Sequence, residues 1–318
     1  MAFNKNCALF GRNLDLEFHF DEKITVVPRN FPLKFQKIKS EKSHHAFIGM
    51  AYIQDEYPLF YDGMNEHGLF AAALNFPGNA VYNHEKDGFF NVASFELIPW
   101  ILSSCSNLGE ATQKLEHANI LSTDFSKSLS ATPLHWFVAD KTGAITVEPL
   151  ENGLKITENP FGVLTNNPPF DFQMQNLSNF INLSPNEPKN RFCEEIEIKP
   201  YSRGMGAMGL PGDMSSASRF VRAAFLKANA VFEKEEALSR FFQILGALEQ
   251  IKGAVRLCEG KLEQTVYSSC ADGEKGIYYY RTFGNSRISA VRMKLFDLDA
   301  KSLFCYPLLT NQDIFYQN

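Results

Sequence analysis

Phe10-Gly11-Arg12-Asn13-Leu14-Asp15 stands close to the first residue of the sequence, and its reading governs everything that follows. An arginine and an acid three residues apart, led by glycine and set beside a chain terminus, predict a site in which the terminus itself takes part in chemistry. What should stand in front of that stretch is short. Met1 to Phe3 is all that remains for a first strand if Cys7 to Gly11 forms the second strand of a hairpin turning at Asn4-Lys5-Asn6.

The chain has 318 residues, 45% hydrophobic and 21% charged, an ordinary balance for a globular protein with a large core. A single domain spanning 1–318 accommodates that length if the fold is sheet-rich. Phenylalanine occurs 29 times, which suits a well-filled core or an apolar ligand site. With 31 basic and 36 acidic residues the net charge is −5, so there is no basic footprint for nucleic acid and no overall field that draws in anions. Cys7, Cys105, Cys193, Cys258, Cys270 and Cys305 are scattered without close pairs, which argues against a disulfide framework and a CxxC zinc site. No run approaches the length of a membrane span, and the opening residues carry no secretory signal. The expectation is a cytoplasmic protein with no membrane partner.

Strand-like runs dominate the first part, at Ile24–Val27, Ala46–Ile53 and Leu69–Phe76. Helices are predicted from about Val92 to Ser103 and from Leu108 to His117. A strand pair, Leu134–Ala139 and Ile145–Pro149, is joined by Asp140-Lys141-Thr142-Gly143, a good hairpin turn. Ser215-Ser216 can cap a helix running through Phe220, Ala224 and Phe225. Another helix covers about Glu235 to Gln250, and the tail returns to strands at Thr265–Ser269, Gly276–Thr282 and Arg287–Leu295. Helices come in pairs and strands as hairpins, which favours layered α+β over a doubly wound sheet.

Gly204-Met205-Gly206-Ala207-Met208-Gly209 matches GxGxxG, but Leu210-Pro211-Gly212-Asp213 follows it. The dinucleotide fingerprint needs a strand before and a helix after, so a flexible loop is expected here. Asn75 precedes Phe76-Pro77-Gly78, and Asn166 precedes Asn167-Pro168-Pro169; either alone reads as a turn residue. Arg219 sits near the start of a predicted helix, where a cation opposes the macrodipole, a placement that makes sense if it faces a site.

Taken together, Phe10-Gly11-Arg12-Asn13-Leu14-Asp15, Met64-Asn65-Glu66-His67-Gly68-Leu69, Leu74-Asn75-Phe76-Pro77, Leu134-His135-Trp136, Val163-Leu164-Thr165-Asn166 and Gly209-Leu210-Pro211-Gly212-Asp213 with Ser218-Arg219-Phe220 resemble the choloylglycine hydrolase family of bile salt hydrolases and penicillin V acylases. The resemblance covers nearly the whole chain. It implies an N-terminal-nucleophile hydrolase with a four-layer αββα sandwich of two mainly antiparallel sheets, no cofactor or metal, and a homotetramer. It also implies that a cysteine exposed at the mature N-terminus attacks an amide carbonyl, with its own α-amine as base. Arg12 would favour the thiolate, Asp15 would orient the amine, Asn75 and Asn166 would donate to the oxyanion, and Arg219 would support the site electrostatically. Asparagine at position 75, where the acylase branch carries tyrosine, points to glycine- or taurine-conjugated bile acids. Phe18, Phe20, Phe60 and Tyr61 are candidate walls of an apolar pocket.

The departure from the family lies at the start. Position 2 is Ala2, and about half a dozen residues, the nucleophile among them, are expected ahead of the Phe-Gly-Arg block. Cys7 lies on the wrong strand to replace it. Either the native chain begins upstream, or the cysteine has been lost and a bile-acid-binding pseudoenzyme remains.

Overall fold

A two-residue alternation in the central strands sets the layers. Ile48 and Met50 enter one core while Phe47 and Ala51 enter another; Phe70 and Ala72 oppose Ala71 and Ala73, and Phe137 and Ala139 oppose Trp136 and Val138. Successive side chains leave a strand on opposite faces, so these strands are covered on both. The structure, a computed structural model, describes residues 1–3, 7–40 and 42–318; the expected turn Asn4-Lys5-Asn6 lies outside the described residues.

The central strands belong to an eight-stranded antiparallel sheet. Its order is Gly153–Glu158, Gly143–Leu150, Leu134–Asp140, Phe70–Asn75, Tyr57–Asn65, Phe47–Gln54, Lys23–Val27 and Phe304–Pro307. A seven-stranded sheet is built around Leu262–Asp272. Ile277–Thr282 and then Asn285–Arg292 extend it on one side. The hairpin of Ala2–Phe3 and Leu9–Phe10, followed by Asn13–Leu16, pairs on the other, and Val255–Arg256 also joins Leu262–Asp272. Helices Leu97–Ser104 and Leu108–Leu115 pack on the outer face of the larger sheet. Ala237–Gly246 packs on Leu262–Asp272 and against Ser216–Asn229. The result is the expected four-layer α+β sandwich.

Several local expectations hold. The turn at Asp140–Gly143 closes with the Thr142 amide donating to Asp140 Oδ1 at 2.7 Å. Ser215 caps its helix by accepting the Ser218 amide at 3.4 Å. Gly204 adopts a positive φ of 81° and leads into a short 3₁₀ turn, Met205–Ala207, so the glycine-rich segment is a loop.

Three expectations change. Val92 lies in a strand, Phe90–Ala93, paired in parallel with Ala118–Leu121, and the helix begins only at Leu97 after a 3₁₀ turn at Ser94–Glu96. The buried Glu96 carboxylate accepts the Gln36 and Ala93 amides at 2.6 and 3.2 Å, which fixes that late start. The helix placed at Glu235–Gln250 is a 3₁₀ turn, Lys234–Glu236, and then Ala237–Gly246. The strand Tyr57–Asn65 was not anticipated. Asp55 and Glu56, both at positive φ (50° and 61°), make its tight hairpin turn without the glycine that usually signals one.

One buried polar cluster positions the site. His135 Nδ1 is 3.4 Å from Glu148 Oε1, and its ring stacks on Phe76 at 4.2 Å. Glu148 Oε1 also accepts the Phe170 amide at 2.9 Å, tying the segment that follows Asn166 to the sheet. Burial holds the His135 imidazole below its ordinary pKa of 6.5, with Glu148 opposing. The unfolded chain therefore binds a proton below about pH 6.5 that the folded chain resists, so stability is lost as the pH falls through that range. Urea midpoints should drop between pH 7.5 and 5.5, and His135→Gln should reduce that drop; an unchanged pH dependence in the variant would assign it to other groups.

Candidate active site

Met1 and Gly11 exchange both backbone hydrogen bonds, Gly11 N to Met1 O at 3.0 Å and the Met1 amine to Gly11 O at 2.8 Å. This continues the register in which Ala2 faces Phe10. The Ala2 amide donates to Gly162 O at 2.9 Å, so the start of the strand is gripped from both sides. Burial, followed by the charges of Lys227 and Arg12, lowers the pKa of the Met1 amine to about 5. Gly11 is required by proximity: a Cβ there would lie 1.9 Å from Ser269 O in the neighbouring strand.

Arg12 follows at once. Its Nε donates to Asn13 O at 3.2 Å, and its Nη1 donates to Tyr61 O at 3.2 Å and to Ala73 O. Three main-chain carbonyls thus hold the guanidinium between the two sheets. Asp15 Oδ1 accepts from Thr265 Oγ1 at 2.5 Å, and Asp15 Oδ2 lies 3.7 Å from Arg219 Nη1. Burial raises the Asp15 pKa, against the pull of Arg219 and Thr265. Arg219 Nη2 donates to Asn166 Oδ1 at 2.9 Å, and Asn166 Nδ2 donates to Asn75 O at 2.9 Å. An unbroken chain of polar contacts therefore runs from Asp15 through Arg219 and Asn166 to Asn75.

The start of the helix Ser216–Asn229 is what aims Arg219. Asp213 accepts from the Ser215 amide at 2.9 Å and the Ser218 hydroxyl at 2.5 Å. Hydrogen bonding from the Ser215 side chain, then from Ser218 and the Ser215 amide, holds its pKa down at about 2. Arg219 Nε also donates to Met214 O at 3.1 Å.

All five residues line one cavity of about 670 Å³, together with Met1. Phe18, Phe20, Phe60 and Tyr61 line it too. Phe18 meets Phe20 edge-on at 4.7 Å, and Phe20 lies 5.5 Å from Tyr52. Tyr52, Leu59, Phe125, Leu129, Leu134 and Leu245 complete much of the apolar wall. These escaped sequence reading, although Leu59 lies on the strand whose turn lacks glycine. None of the described cysteines lines the cavity. Cys7 is buried elsewhere, with its thiol pushed up by burial and by Asp272.

Residues 1–306 match the family of linear amide C–N hydrolases, choloylglycine hydrolase family. The chain belongs to that family. It is 47% identical over 311 residues to the bile salt hydrolase/transferase of Lactiplantibacillus plantarum, covering 97% of this chain and 96% of that one. Among solved structures, a cysteine-to-alanine variant of the conjugated bile acid hydrolase from Clostridium perfringens superposes with a TM-score of 0.92 at 35% identity, over 100% of this chain and 98% of that one. Penicillin V acylase from Agrobacterium tumefaciens, 19% identical with a TM-score of 0.73 over 98% and 91% of the two chains, shares the fold. This choloylglycine hydrolase-family chain is thus an amide C–N hydrolase by family.

Gly11→Ala tests the strand contact beneath the site. Overpacking against Ser269 should cost about 3 kcal/mol of stability, the upper end of the usual range for such insertions. Urea unfolding measures it; a loss under ~1 kcal/mol would mean the hairpin shifts freely.

Proposed function

We propose that this chain carries the site of a conjugated bile salt amidase, which cleaves the glycine or taurine amide of a bile acid through a cysteine at the mature N-terminus. The observation that supports it is the convergence of Arg12, Asp15, Asn75, Asn166 and Arg219 on one aromatic-walled cavity that Met1 also lines. The curated relative named above as a bile salt hydrolase/transferase, and Asn75 itself, favour a bile acid over a penicillin.

With Ala2 facing Phe10 and Met1 facing Gly11, a residue preceding Met1 would stand opposite Arg12. In this reading the cysteine thiol passes its proton to the α-amine as sulfur bonds to the amide carbonyl carbon. Arg12 favours the thiolate. Asn75 and Asn166 donate to the oxygen that gains charge, each worth ~3 kcal/mol. The amide C–N bond then breaks, the amine proton goes to the departing glycine or taurine, and water hydrolyses the thioester to the free bile acid. Arg219 is a positioning residue, because it holds the carbonyl end of Asn166, whose Nδ2 keeps one hydrogen to donate beside the one bound to Asn75 O. Asp15 orients the amine. The proposed working form is a homotetramer, supported by the family resemblance, and its proposed location is the cytoplasm.

Glycine release from glycocholate tests the reading. The present chain should give no turnover, and a version carrying Met-Cys ahead of Met1 should give clear turnover after loss of the initiator methionine. In that version Asn166→Ala should lower kcat by about 100- to 1000-fold. Turnover by the present chain would overturn the N-terminal cysteine nucleophile, and preference for penicillin V would overturn the assignment from Asn75. If the extended version binds glycocholate by calorimetry but never cleaves it, the protein is a bile-acid binder instead.

A further inference from the structure

The turn between Tyr57–Asn65 and Phe70–Asn75 lies at the opposite end of its strands from the cavity, about 20 Å from Asn75 at ~3.3 Å per strand residue. There Glu66 and His67 come against His45, two residues before the strand Phe47–Gln54. His67 Nε2 lies 3.2 Å from His45 Nδ1, and ligand atoms of His45, Glu66 and His67 all fall within 4.8 Å of one another. We propose that these three residues bind one divalent transition-metal ion of the zinc class.

Distance is the first argument. Two imidazole nitrogens on a tetrahedral ion with bonds of about 2.0–2.1 Å stand roughly 3.3 Å apart, close to the separation here. Orientation is the second. His45 Nε2 is 3.3 Å from Ser106 Oγ; donation to that hydroxyl leaves the Nδ1 lone pair facing His67, the outer support that metal-binding histidines commonly have.

The three groups are also held in place before any ion arrives. Glu66 accepts from Arg29 Nε at 3.0 Å and from the Ala46 amide at 2.9 Å. The His67 amide donates to Asn65 Oδ1 at 3.1 Å, while Asn65 Nδ2 donates to Leu102 O and Cys105 O at 2.9 and 2.7 Å. An open cleft of about 480 Å³, lined by His45, Glu66, His67 and Arg29 among others, gives an ion its way in and leaves a position for water. Arg29 shares Glu66 with the ion, so the site resembles neither a closed structural zinc site nor a catalytic one. Its effect is to clamp the segment before Phe47 to the turn after Asn65, far from the reacting amide.

Titration of the full chain with Co²⁺, followed in the visible spectrum, and with Zn²⁺ by calorimetry tests the site. One equivalent should bind with nitrogen/oxygen d–d bands and without a strong near-ultraviolet thiolate band. Zn²⁺ affinity should fall about tenfold or more in both His67→Ala and His45→Ala, and stay unchanged in a Cys258→Ser, Cys305→Ser double variant. Zn²⁺ should also raise the unfolding temperature of the parent chain but not of the His67→Ala chain. Because His67 is exposed on a turn, its variant should keep the parent circular dichroism. A dominant thiolate band, or undiminished affinity in folded His67→Ala, would overturn the proposal. Neither readout depends on bile salt turnover, so this site and the amidase reading fail separately.

Discussion

A carboxylate with no exposed surface ties the two sheets together. Asp62, on the larger sheet, accepts from Tyr267 Oη at 2.7 Å and Tyr278 Oη at 2.5 Å on the smaller one. Burial pushes the Asp62 pKa up, while Arg12 and the two phenols pull it down. Burying a polar cluster is costly unless every member is paired, and this one is paired across the interface between the two sheets. The residue before it, Tyr61, supplies one of the carbonyls that hold Arg12. The bridge thus fixes how far the hairpin strand that carries Arg12 sits from the sheet that carries Asn75.

The candidate site is correspondingly composite. Arg12 and Asp15 come from the edge of the smaller sheet, Asn75 from the end of a strand in the larger one, and Asn166 and Arg219 from a loop and a helix start. Arg12 and Asn166 are oriented mainly by bonds that cross between these regions, while Asp15 and Arg219 also bond within or beside their own elements, to Thr265 and Met214. The links between regions are few: Arg12 to Ala73 and Tyr61, Arg219 to Asp15 and Asn166, and Asn166 to Asn75. Around the cavity Arg219 stands against Asp15, and Arg12 is held by three main-chain carbonyls. This lets a low-polarity pocket adjoin a strongly polar end without a large unpaired charge.

How much of this was legible in the sequence follows from what each signal depends on. Arg12 and Asp15 announce themselves because glycine, arginine and acid fall within a few residues. The layered α+β class could be read from paired helices and hairpins. Asn75 and Asn166 are 91 residues apart, and each has an innocent reading as a pre-proline turn residue; only their order within a set of longer blocks exposed them. Phe18, Phe20, Phe60 and Tyr61 could be named as candidates, whereas Phe125 and Leu129 could not. Those two lie on an irregular connection where no periodicity marks a wall. Asp62 was missed with its strand, because the Asp55-Glu56 turn achieves left-handed backbone without glycine. The apolar run at Val92 read as helix because a short buried strand and a buried helix share the same composition.

The single hydrogen bond from Asn166 Nδ2 to the main chain of Asn75 has a consequence for substrate choice. It couples the two proposed oxyanion donors to each other rather than to whatever occupies the cavity, so their spacing is set by the fold. An amide must fit that fixed fork. The far wall, by contrast, is built from aromatic and leucine side chains, and Phe18 keeps nearly half of its surface open. Discrimination among substrates is therefore divided in space: strict at the bond that breaks, and permissive over the hydrocarbon that carries it.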